Sequence, residues 1–151
     1  MKQVISVLFI KKNKVMLRYV TNSDTNAGPV IPRGNVLAED KHIPATSEIE
    51  HALHRLIYNI SKGTMIPLQY EFVRVLSEKN LDELTYVYFI YSWDGNESVS
   101  FFPDARHPGR LRFVTIDDAL AAVTEETDRK ILIMAKETIR IHSVLHNPLY
   151  H

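Results

Sequence analysis

The sequence has no cysteine among its 151 residues, which excludes disulfides, thiolate catalysis and cysteine-bound zinc. Net charge is missing too. Eighteen basic side chains balance 18 acidic ones, so no overall field draws nucleic acid or an anionic membrane. Any recognition of phosphate must come from a local cluster. No apolar run approaches the ~20 residues that a membrane-spanning helix needs. The apolar stretch Val4 to Ile10 is followed by lysines where a signal peptide would carry small residues, and its β-branched composition reads as a strand. Repeats and low-complexity segments are likewise absent. What is present is ordinary: 45% hydrophobic and 24% charged residues, the make-up of a soluble globular protein with one domain over 1–151. The default location is the cytoplasm, with no nucleic acid and no membrane among the partners.

Along the chain, Val4–Ile10 and Val15–Val20 form a hairpin about the turn at Asn13. A polar loop, Thr21 to Pro29, leads to a short strand at Val30–Ile31 ahead of Pro32 and Gly34, and Lys41 to Ala45 is irregular. In "EHALHRLIYNISKG", Ala52, Leu53, Leu56, Ile57 and Ile60 recur at helical spacing and make one apolar face. Ser47 with Glu50 three residues on has capping-box spacing, and Gly63 suits the helix end. Gln69–Leu76 and Leu84–Trp93 read as strands, the second carrying "TYVYFIYSW". A long loop follows, with a short strand around Val99–Phe102. "RLRFVTI" is the last strand; Asp117 is the expected cap of a short helix, and Thr127 or Asp128 opens a longer one ending near Leu145. This order predicts an α+β fold, a mixed sheet with helices packed on its faces.

At "IPRGNVLAED … EHALHRLIYNISKG" the chain resembles the Nudix hydrolases, whose signature is G-x5-E-x7-R-E-U-x-E-E-x-G-U, with U a bulky aliphatic residue. Gly34 matches the first glycine. Asp40 falls at the acidic position with Glu39 beside it, and Ala52 and Leu56 match buried helix positions. In that register His54 and Arg55 stand on the R-E pair, Tyr58 and Asn59 on the E-E pair, and Ser61 on the glycine. Thirteen residues, Lys41 to Leu53, replace the usual seven. The "PRG" turn is similar to the "PKG" of the diadenosine-tetraphosphate branch. The resemblance implies an α/β/α sandwich and a site for a nucleoside-diphosphate-linked compound, which the family hydrolyses with Mg²⁺ held by glutamates on that helix.

The substituted residues suit that chemistry poorly. Mg²⁺ takes oxygen ligands in octahedral geometry, usually including carboxylates. A phenol and an amide are neutral, and a guanidinium opposes a neighbouring cation by about 4 kcal/mol at ~4 Å and an effective dielectric of ~20. Loss of the standard hydrolysis, with a nucleotide ligand still bound, is therefore the first expectation. Its ligand-binding residues would be Arg33, Gly34, His54, Arg55, Tyr58 and Asn59, with Arg106 and Arg110 from the long loop. The alternative is an active pyrophosphohydrolase in which Glu39, Asp40 and Glu50 gather as relocated catalytic carboxylates around Mg²⁺ or Mn²⁺. Those acids also suit the N-terminal end of a helix dipole, and Arg55 could pair with Glu39, Glu48 or Glu50. His51 and His54 stand three apart without a matching third metal ligand, and read as solvated helix residues. A third reading is an interaction domain that forms a homodimer through a sheet edge or the aromatic strand.

Overall fold

The computed structural model describes residues 1–20, 28–42, 47–78, 80–95, 101–102 and 109–145. Its strands are β1 (Lys2–Lys11), β2 (Lys14–Val20), β3 (Arg33–Asn35), β4 (Met65–Glu78), β5 (Glu83–Gly95), β6 (Phe101–Phe102) and β7 (Gly109–Thr115). Its helices are α1 (Glu48–Ser61), α2 (Ile116–Ala122) and α3 (Glu126–Leu145), with a 3₁₀ turn at Ala38–His42. The strands form one mixed sheet in the order β4-β5-β1-β2-β7-β6, with β3 added to β1. The pair β1–β5 is parallel and the other named pairs are antiparallel.

β1 explains the layering. Every residue from Val4 to Ile10 is buried, as befits a central strand covered on both sides. Side chains alternate across a strand, so Ile5, Val7 and Phe9 join the cluster under α1, while Leu8 and Ile10 join the one under α2 and α3. α1 presents Ala52, Leu53, Leu56, Ile57 and Ile60 to the first cluster, and α3 presents Ile131, Leu132 and Ala135 to the second. Each fully buried aliphatic side chain contributes about 1.5–3 kcal/mol. The result is the expected sandwich, with one helix on one face of the sheet and two on the other.

Several boundaries differ from the sequence expectation. The short strand lies at Arg33–Asn35, not Val30–Ile31. Pro32 has no N–H to donate. Val30 makes only an isolated bridge to Arg18, and the Pro32 carbonyl accepts from Val7 N at 3.0 Å. α2 begins at Ile116 with Thr115 as its cap, taking Asp118 N at 3.2 Å, so Asp117 lies inside the first turn and caps nothing. Both long strands run further than their apolar runs, because ladder pairing continues through Met65↔Gly95 and Glu78↔Glu83. Of the Val99–Phe102 expectation only Phe101–Phe102 falls among the described residues, as do parts of the Thr21–Pro29 and Lys41–Ala45 segments.

Candidate functional site

α1 starts at Ser47, whose hydroxyl accepts from Glu50 N at 3.1 Å, the first half of the capping box. The helix can lie close over β3 because residue 34 is glycine: a Cβ there would stand 3.1 Å from Leu56 Cδ1. Arg55 and its neighbours are thereby held beside the loop that follows β3.

That loop ends in the 3₁₀ turn, which carries Asp40. Its side chain has no solvent exposure, yet it is fully used. One oxygen accepts from Leu37 N at 2.7 Å. The other meets both Arg55 Nη1 and His51 Nδ1. An ionised carboxylate only accepts hydrogen bonds, so Nδ1 carries the proton in this arrangement. Arg55 continues through Nη2 to the carbonyl of Asn35 at 2.6 Å and has Glu39 at 3.7 Å. Burial raises the Asp40 pKa, but hydrogen bonds from Arg55, Leu37 N and His51 outweigh it and hold the group down at about 2. The network locks β3, the 3₁₀ turn and α1 together with a permanent negative charge at its centre.

The remaining candidate residues are distributed as follows. Glu39 is exposed, with 67% of its side chain accessible. Glu50 is exposed on the first turn of α1, near Tyr70 and Tyr88, whose pKa values rise through burial and through its charge. The three acids do not gather: among the described residues no set of three His, Asp or Glu side chains is placed to hold a metal ion. His54 packs edge-on against Tyr70, with ring centroids 5.8 Å apart. Tyr58 is 64% exposed, and Asn59 is exposed beside it. Arg33 points to the other face of the sheet, where it pairs with Glu125 and stands 3.8 Å from Asp128. Arg33 and Arg55 therefore do not surround a common ligand. Arg110 pairs with Tyr19 of β2, which packs on the α2–α3 side, and alternates with Leu111, which packs under α1, so it lies on the face of the sheet away from α1. Arg106 lies outside the described residues.

The principal partner of Arg55 is thus Asp40, rather than Glu39, Glu48 or Glu50. His51 shares that partner, although it read as a solvated helix residue. A signal for this was available, since His51 and Arg55 are four apart and so share one side of α1. The donor set does not fit Mg²⁺. At the positions where the resemblance expects glutamates, α1 offers a guanidinium already bound to Asp40, a phenol and an amide.

No family model and no curated protein matches the sequence. The fold does recur among solved structures. It matches MutT from the psychrophilic fish pathogen Aliivibrio salmonicida and the mesophile Vibrio cholerae with a TM-score of 0.67 and 12% identity, over 91% of this chain and 98% of that one. An ADP compounds hydrolase matches with a TM-score of 0.66 and 14% identity, over 93% and 74% of the two chains. The NUDIX domain of Shewanella oneidensis NrtR, crystallised with ADP ribose, matches with a TM-score of 0.62 and 12% identity, over 91% and 87%. With one mixed sheet between α1 and the α2–α3 pair, and α1 packed on the glycine of the "PRG" turn, this chain has the Nudix fold.

Proposed function

We propose that this protein binds a nucleotide or nucleoside-diphosphate-linked ligand beside α1, with little or no Mg²⁺-dependent hydrolysis. The observation that carries the reading is the Arg55–Asp40–His51 network. It supports the reading because Arg55 is a cation at a position where the resemblance expects a glutamate, and because its pairing with Asp40 uses the one buried carboxylate of the loop. A group with its pKa near 2 and three donors on it is a poor general base at neutral pH. For the ligand, the support is the fold shared with proteins that include a NUDIX domain holding ADP ribose. The exposed surface of α1 adds neutral hydrogen-bonding groups in Tyr58 and Asn59, an imidazole in His54 and part of a guanidinium in Arg55.

Calorimetry with ADP ribose, with and without EDTA, tests the binding. The expected outcome is saturable binding that survives chelation and weakens in Tyr58→Ala and Asn59→Ala. A parallel assay for AMP release with Mg²⁺ or Mn²⁺ tests the chemistry. Turnover that disappears in Glu39→Gln or Asp40→Asn would replace this reading with the relocated-carboxylate hydrolase.

A further inference from the structure

A cavity lies away from α1, on the opposite face of the sheet. It is an open cleft of about 650 Å³ between the β1–β2 turn and the last turns of α3, a volume typical of small-molecule sites. Ile10 and Ile139 supply its apolar floor and side, Tyr91 and His142 an aromatic wall, and Lys12 with Ser143 the rim. We propose that this cleft is a second binding site, for a small planar aromatic anion.

Planarity follows from the wall. The Tyr91 and His142 rings are stacked, with centroids 5.4 Å apart and planes 20° from parallel. Tyr91 is held from behind by donating its hydroxyl to Glu71. The turn is equally fixed: the Asn13 carbonyl takes Ile116 N at 2.9 Å, and Lys12 adopts a left-handed conformation, φ 56°. Walls ordered before binding reduce the entropy lost when a ligand enters.

The sign of the charge follows from the rim. Among the described residues no carboxylate lines the cleft, and Lys12 is its ammonium group. Among the described residues Lys12 has no ion-pair partner. Lys11 and Lys14 flank it on the same turn and add charge of the same sign. The carbonyl end of α3 carries the opposite partial charge. The anionic group therefore belongs on the hairpin side beside Lys12, with the rings turned toward His142 and Ile139. An apolar floor with a single cation at the rim suits an aromatic acid, and suits an inorganic anion or a neutral hydrocarbon less well.

The test is calorimetric titration with 1-naphthoate and, as the uncharged counterpart, 1-naphthalenemethanol. Saturable one-to-one binding of the acid is expected, with the alcohol about tenfold weaker or worse, and Lys12→Met should reduce the affinity for the acid about three- to tenfold. Ile139→Trp, which fills the cleft, should abolish binding. Ser143→Trp, at an exposed helix position, should do the same without touching the core, and saturating ADP ribose should leave the acid bound. The proposal is overturned by any of four results: no saturable binding of the acid, equal affinity for the alcohol, indifference to Lys12→Met and to both tryptophan variants, or displacement of the acid by ADP ribose.

Discussion

Asp40 and Asp128 are both buried carboxyls, and their surroundings drive them in opposite directions. Arg55 carries much of the compensation at Asp40. Arg55→Ala would leave that carboxylate inaccessible with only His51 and Leu37 N, which predicts a loss of about 2–4 kcal/mol in urea unfolding. A loss under about 0.5 kcal/mol would mean that the pair contributes nothing net. At Asp128 burial dominates. The Ile31 N–H at 3.1 Å and the nearby Arg33 offset it only in part, Glu125 opposes them, and the pKa rises to about 6 from an ordinary 3.8. The folded protein then keeps a proton that the unfolded chain gives up. Stability from this group is therefore lost as pH climbs from about 4 to about 6, by at most about 3 kcal/mol. Asp40 acts the other way at lower pH, where stability is gained between about 2 and 4. Asp128→Asn should flatten the loss between pH 4 and 6 in thermal melts, and an unchanged slope would remove Asp128 as its cause.

At the level of elements, the sequence was readable wherever a local rule applied and obscure wherever distant segments met. The apolar face of α1 and its Ser47 cap follow from spacing alone, and both stand in the structure. Ser47→Ala should accordingly cost about 1 kcal/mol, measured by chemical denaturation. Gly95, by contrast, gave no sequence signal. It sits at φ 117°, and a Cβ there would stand 1.7 Å from the Thr64 carbonyl oxygen, across the ladder between β4 and β5. Gly95→Ala should therefore cost far more than the cap, on the order of 3 kcal/mol or above, and equal losses would contradict that geometry. The Asp40–Arg55 pair was similarly hidden. It spans 15 residues and depends on where the 3₁₀ turn sets its side chain down. The cleft at Tyr91 and His142 requires β5 and the end of α3 to be placed before it can be seen at all.

Across the molecule, the two apolar clusters share the same central strands, and this bears on whether residues 1–151 act as one domain. The only tryptophan, Trp93, packs edge-on against Phe9 of β1 at 5.2 Å and stacks on Phe113 of β7 at 5.8 Å. It thus reports on three strands at once. Its fluorescence and the far-ultraviolet dichroism should lose signal together in one urea transition, whereas two separated midpoints would divide the chain into independently unfolding parts. The parallel contact between β1 and β5 has a temporal consequence as well. Lys2 pairs with Glu83 and Phe9 with Ile90, so β1 must wait for some eighty further residues to be made before this neighbour exists. Until then the seven consecutive buried residues Val4 to Ile10 have β2 and β3 beside them and α1 over one face, while the face that α2 and α3 will cover stays open. Assembly of this protein is thereby timed by the arrival of β5, and nascent chains stopped short of Gly95 are the ones that a chaperone should hold.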